Sequence, residues 1–422
     1  MSASVKVGNI LSAMLSPERI MQRCDALARH SELPGGLTRV FLSPESRAVA
    51  DTVLGWMREA GMQARLDAIG NVVGRYEGAQ PGLPCLMLGS HLDTVRDAGR
   101  YDGMLGVISA IECVEALSKK NQKLPFAMEV VGFGDEEGVR FGTTLLGSRA
   151  VAGIFDQKAL QATDAGGTTL AKAMRDFGLD PARIPQAAHR KGEVLAYAEL
   201  HIEQGPVLEA EGLPVGVVTA INGFSRLRAT LRGEAGHAGT VPMRLRRDAL
   251  AGAAECVLAV EDIARQRAEL VATVGRIEAK PGAINVIPGE VQFTIDVRAP
   301  QDAMRHDAVA SIRGAVEEVA HKRSLDCHIE MLQEFGVSLC AEWLMRQMDR
   351  AVASQGLPVR RLPSGAGHDG MAIRAIADIA MLFVRCKRGI SHSPAEAITA
   401  QDAGIGAEVL LNFIENFRAV PA

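Results

Sequence analysis

Six side chains in this 422-residue chain have the types and spacing to hold and use a metal ion: His91, Asp102, Glu136, Glu137, His201 and His392. They offer imidazole and carboxylate donors without thiolate, a set suited to zinc or manganese. A carboxylate carries two oxygens, so one Asp can bridge two ions. With Asp102 as the bridge, His91 and His201 complete one site and Glu137 and His392 the other. Three protein ligands per ion leave a position open for water, the mark of a catalytic rather than a structural site. Glu136 is then the spare carboxylate, placed to take a proton from that water. Asp93, two residues beyond His91 on an extended segment, is placed to fix the His91 imidazole.

Position along the chain supports convergence. Short apolar runs at Cys85–Leu88, Ala127–Val131, Val194–Ile202 and Ile379–Val384 read as buried strands, and each leads into or carries one of the polar groups. They alternate with helical stretches at 43–59, 104–119, 341–355 and 402–417, which implies βαβ units and a largely parallel sheet with helices on both faces. Ligands of such sheets gather outside the carboxyl ends of the strands. Asp102 joins from Gly99-Arg100-Tyr101-Asp102-Gly103, just before the helix expected from Met104.

Each residue alone has a plainer reading. Asp102 is well placed as a helix N-cap, His201 as a hydrogen-bonded core histidine, and Glu136-Glu137 as a solvated loop. Five such coincidences, all near glycine and at strand ends, favour the metal site. Gly132-Phe133-Gly134 invites a dinucleotide-binding reading, but the next glycine is Gly138, one position late. Asp135, Glu136 and Glu137 would also face a pyrophosphate.

The middle of the chain differs. Strand-like runs at 215–220, 226–232, 271–278, 291–298 and 325–331 enclose helical stretches at 247–269 and 303–322. This order predicts a smaller α+β domain at 214–329 inserted into an α/β domain made of 1–213 and 330–422. The insert carries His237 in the glycine-rich Gly233–Thr240 turn, Asn285 before Val286, and Arg298 at a strand end. Arg298 could grip a carboxylate with its fork or pair with Asp296.

Composition sets outer limits. Lys plus Arg is 46 against 50 Asp plus Glu, a formal charge of −4 that argues against a general nucleic-acid binder. Aromatic residues are 4%, too sparse for a base-stacking platform. Seven scattered cysteines without Cys-x-x-Cys form no disulfide framework and fit a cytoplasmic, reducing location. No apolar run is long enough for a membrane span. Met1 to Ser16 lacks the basic start and apolar core of a signal peptide.

Together the motifs resemble the dinuclear metal amidohydrolases of the aminoacylase and carboxypeptidase superfamily, in the branch of N-carbamoyl-amino-acid hydrolases, β-ureidopropionases and allantoate amidohydrolases. The resemblance runs from about residue 40 onward. It rests on Gly-Ser-His-Leu-Asp-Thr-Val at 89–95, Tyr-Asp-Gly at 101–103, Asp-Glu-Glu-Gly-Val-Arg-Phe at 135–141 and His-Ile-Glu-Gln-Gly-Pro at 201–206. Gly-His-Ala-Gly-Thr at 236–240, Asn-Val-Ile-Pro-Gly at 285–289 and Gly-Ile-Ser-His-Ser-Pro at 389–394 extend it.

The resemblance implies two divalent ions on His91, Asp102, Glu137, His201 and His392, with Glu136 as general base. It implies that the insert is a lid and homodimerisation domain. His237 would reach the partner subunit's site to stabilise an oxyanion, while Gln204, Asn285 and Arg298 hold the substrate. The segments at 97–111 and 135–141 look most like allantoate amidohydrolases. Val241 and Arg385 depart from the pattern, standing where Thr and Pro are commoner. The expected activity is hydrolysis of a ureido C–N bond on a small carboxylate, allantoate first and an N-carbamoyl-L-amino acid as the alternative. A metal-binding protein without turnover is the reading outside that class. His368, in Gly367-His368-Asp369-Gly370, is expected near the site without an assigned task.

Overall fold

A computed structural model describes residues 15–419. All but the last two residues of the Met1–Ser16 stretch lie outside that range. Two compact units emerge. One comprises the chain up to Thr219, Leu339–Leu362 and the stretch from Ala366 onward; the other comprises Ala220–Ser338 and Pro363–Gly365.

The first unit is built on a nine-stranded sheet. At its centre Ala127–Phe133, Cys85–His91, Val194–Ile202 and Ile379–Val384 lie side by side and parallel. Every residue of the Cys85–His91, Ala127–Phe133 and Ile379–Val384 strands is buried, as their unbroken apolar sequences require of a sheet covered on both faces. Antiparallel strands flank this core: Val72–Tyr76 beside 127–133, and Val215–Ile221 beside 379–384.

Successive strand residues face opposite ways, and the two faces are put to different uses. On one, the Leu200 side chain lies close to Gly406 of the helix Ala400–Asn416. That helix packs with Met104–Lys119, which is buried nearly all round because it lies between the sheet and its helical neighbours. On the other face Tyr197, Glu199 and His201 point toward His368 and the polar groups of the site.

The second unit is a four-stranded antiparallel sheet, ordered Asp326–Phe335, Gly223–Arg232, Glu290–Ala299, Val271–Lys280. Along Glu290–Ala299 burial alternates strictly, with Val291, Phe293, Ile295 and Val297 turned into a core shared with helices Ala249–Arg265 and Asp302–Lys322. The opposite face carries Gln292, Thr294, Asp296 and Arg298.

Two expectations need correction. The run at 215–220 is not the first strand of the insert, since Val215–Ile221 pairs with Ile379–Val384 in the large sheet. The insert also extends past 329: Asp326–Phe335 stays hydrogen-bonded to Gly223–Arg232 along its whole length. An apolar run announces a strand, but not the sheet that will accept it.

Candidate metal centre

The carboxyl ends of the four parallel strands bring the expected donors together. His91 is the last residue of its strand, and His201 lies one residue from the end of its own. Each imidazole is oriented through Nδ1, which donates to a backbone carbonyl at 2.9 Å: Asp93 for His91 and Ile202 for His201. In the neutral ring each Nε2 then keeps its lone pair, and both face one oxygen. Asp102 Oδ1 lies 3.5 Å from His91 Nε2 and 3.1 Å from His201 Nε2. It is buried and has no hydrogen-bond donor of its own.

The other oxygen of Asp102 faces the second group. Oδ2 is 3.2 Å from His392 Nε2, which stands 3.4 Å from Glu137 Oε1. Two groups of donors, each within 4.8 Å, thus share Asp102: His91–Asp102–His201 and Asp102–Glu137–His392. The N-cap reading of Asp102 fails, because Gly103 caps the helix at Met104 and no side chain serves there. The turn is tighter than a cap. Met104 N–H donates to the Asp102 carbonyl at 2.9 Å across Gly103, whose φ of 74° and ψ of −54° make a γ-turn that side chains resist.

Glu136 and Glu137 follow the Ala127–Phe133 strand through Asp135, itself at φ 60°. The Asp93 carboxylate accepts their backbone N–H groups at 3.1 and 3.2 Å. This corrects the expectation for Asp93. Its carboxylate oxygen is 3.9 Å from His91 Nδ1, so its side chain fixes the Glu136–Glu137 turn while its carbonyl fixes the imidazole.

Charge in this pocket is unbalanced. Burial, reinforced by neighbouring acids, pushes the Glu136 carboxyl well above its usual range and that of Glu137 up to about 7. Burial opposes ionisation of Asp102 too, yet the adjoining imidazoles of His201, His392 and His91 hold it well below. The three imidazoles shift toward their protonated forms despite the burial that opposes their charge. The pocket demands positive charge. A divalent cation meets that demand, and the orphaned Asp102 Oδ1 between the Nε2 atoms of His91 and His201 is a donor set of the right kind.

Peptidase family M20/M25/M40 matches this sequence over residues 87–416, a span that includes every donor above and Glu136. The chain belongs to that family. It is 44% identical to the N-carbamoyl-L-amino acid amidohydrolase of Geobacillus stearothermophilus over 402 residues, 95% of this chain and 98% of that one. It is 40% identical to allantoate deiminase 1 of Glycine max, across 94% of this chain and 89% of that protein. Its fold superposes on the crystal structure of a hydantoinase/carbamoylase family amidase from Burkholderia multivorans with a TM-score of 0.89 and 33% identity, covering 96% and 98% of the two chains.

Glu199 and Glu396 in this M20 chain escaped the sequence reading, while His368 was expected near the site without a task. Glu199 is fully buried and accepts from the Ser90 hydroxyl at 2.7 Å and the Tyr197 hydroxyl at 2.9 Å. His368 sits edge-on to His201 with ring centroids 4.5 Å apart, and burial followed by the His201 charge holds it neutral. Glu396 accepts the backbone N–H groups of Tyr101 and Asp102. Of the two residues missed, only Glu396 had a local signal, two residues beyond the His392-Ser393-Pro394 motif.

The expected substrate contacts divide. Gln204, at φ 55°, donates to Asp102 Oδ2 at 3.0 Å, within the donor cluster. His237 and Asn285 are neighbours in the second unit, where Ala238 N–H donates to the Asn285 carbonyl and His237 pairs with Val286. Gly239 N–H donates to His237 Nδ1, so the exposed ring carries its proton on Nε2. Arg298 forks onto Asp296 at 2.8 and 3.2 Å, and its remaining Nη1 donates to the Gly365 carbonyl. Arg385 forks onto Asp402, which accounts for an arginine where proline is commoner.

Proposed function

We propose that this M20 chain hydrolyses a ureido C–N bond on a small carboxylate, with allantoate as the leading substrate. The observation that carries the reading is the pair of donor groups sharing Asp102, with the Glu136 carboxyl close to His91 and Glu137 beside them. Two divalent ions per subunit, zinc or manganese, would be held by His91, Asp102 and His201 and by Asp102, Glu137 and His392. When bound, they supply Lewis acidity at the ureido carbonyl and ease the ionisation of water.

The chain's own residues supply the rest. Glu136 takes the proton of the attacking water and returns it to the leaving nitrogen. His237, with its proton on Nε2, is a donor for the developing oxyanion. Gln204, Asn285 and Arg298 orient the substrate, with the Arg298 fork aligned by Asp296.

The second unit acts as lid and homodimerisation domain. Support comes from Leu258 on helix Ala249–Arg265, and from Val271 and Ile277 on the end strand of its sheet, all exposed apolar side chains. The seven cysteines are free thiols, in keeping with a cytoplasmic location. Among the described residues no helix is long and apolar enough to cross a membrane.

A second reading, hydrolysis of an N-carbamoyl-L-amino acid, is favoured by the name of the 44% identical relative. Purified protein supplied with zinc or manganese and offered allantoate or N-carbamoyl-L-amino acids decides between them by ammonia release. Release from allantoate at the higher kcat/KM supports the first reading. Release only from carbamoyl amino acids establishes the second. Metal uptake without turnover of any ureido substrate would overturn both.

A further inference from the structure

Resting on the metal-centre reading above, we propose that Glu396 is a positioning residue that sets the shared carboxylate of Asp102, and through it the affinity for both ions. Glu396 is buried. Its Oε1 accepts the backbone N–H of Tyr101 at 2.8 Å and of Asp102 at 3.2 Å. Its Oε2 lies 2.9 Å from the Ser391 hydroxyl, which is 3.1 Å from Asp102 Oδ2. One side chain thus grips Asp102 at the backbone and, through Ser391, at the carboxylate. It also ties the segment carrying His392 to the γ-turn carrying Asp102.

The surroundings are shaped for this contact. A Cβ on Gly99 would stand 2.1 Å from the Glu396 carboxyl carbon, so only glycine lets Glu396 lie against the 99–103 turn. The one Ser391 proton is shared between Glu396 Oε2 and Asp102 Oδ2, and Gln204 also donates to Oδ2, while Oδ1 stays aimed at His91 and His201. A carboxylate shared by two ions has to hold both oxygens in place at once. Groups that orient ligands in this way typically change metal affinity 10–100-fold when removed.

The test measures metal binding to the full-length protein, with zinc and with manganese in chelator-buffered solution, alongside circular dichroism to count folded protein. Glu396→Ala should weaken both ions by about 10–100-fold in protein that remains folded. Glu396→Gln should stay within about threefold, because its amide oxygen still accepts the two N–H groups and its NH2 can donate to Ser391, releasing that hydroxyl to Asp102. Ser391→Ala removes only the side-chain link and should give a smaller loss at both ions. Unchanged affinity in folded Glu396→Ala, loss confined to one ion, or a Gln variant as weak as Ala would each overturn the proposal. A wild-type protein that takes up neither metal would instead overturn the metal-centre reading itself.

Discussion

Gly103 lies so close to His91 that a Cβ on it would stand 2.6 Å from three atoms of the imidazole ring. The contact fixes how the residue after Asp102 passes the first ligand. Gly103→Ala meets both that ring and a backbone conformation hostile to side chains. The variant should fold but bind metal at least tenfold more weakly. Equal metal content in wild type and variant would show that the turn relaxes freely.

Glu136→Gln keeps the size of the side chain and removes its ability to take a proton. Turnover should fall by about 10²–10⁴-fold with metal content unchanged, the range for losing a general base. Metal analysis beside steady-state kinetics separates this from loss of a ligand, which would lower both.

Asp93 holds one N–H group on each of its two carboxylate oxygens, and an amide has only one oxygen to offer. Asp93→Asn turns one acceptor into a donor facing the Glu136 or Glu137 backbone. Loosening of that turn should lower kcat by about 10-fold or more, while the Asp93 carbonyl on His91 stays in place. A normal kcat in the Asn variant would remove Asp93 from the positioning of the general base.

Arg298 and Asp296 project from one face of their strand, two residues apart, which lets the carboxylate receive the guanidinium fork. Asp296→Asn leaves one oxygen where two were used, so the fork loses its fixed plane. KM for a carboxylate substrate should rise several-fold with kcat little changed. A fall in kcat alone would point to a role other than substrate binding.

His189 supplies a pH signature away from the metal centre. Its Nε2 lies 2.7 Å from Glu129 Oε1, and although burial opposes its charge, that carboxylate raises its pKa above the ordinary value of 6.5. A raised histidine stabilises the fold fully below its unfolded pKa, and the contribution disappears as pH rises through the folded value. Unfolding midpoints should therefore decline as pH rises above 6.5. His189→Gln, which keeps a donor for Glu129, should flatten that decline. An identical slope in the two proteins would contradict the assignment.

The strand ends and the donors were readable because their signals are local: an apolar run, then a histidine or acid beside glycine. His91, Asp102, Glu137, His201 and His392 met as their spacing implied. Glu199 was not readable as a neighbour of His201, since a buried acid on a strand looks the same whether it faces helix or ligand; His368 was expected near the site, but not its contact with that ring. The orienting role of Glu396 depends on a contact spanning nearly 300 positions of chain. Asp93 was placed beside His91, but sequence could not say that its carbonyl reaches the imidazole while its carboxylate holds the Glu136–Glu137 turn. Likewise Val215–Ile221 announced itself as a strand without naming its sheet.

The order of the strands has a consequence for synthesis. Ile379–Val384 lies between Val194–Ile202 and Val215–Ile221, two strands made long before it. While a ribosome is still building the chain, those two strands have a gap between them that only the late strand can fill. The Ala220–Ser338 segment, with its own helices and sheet, emerges whole during that interval. The nascent first unit must therefore keep a central sheet edge open until near the end of translation. That exposed edge is where a stalled or truncated chain of this family would be prone to mispair.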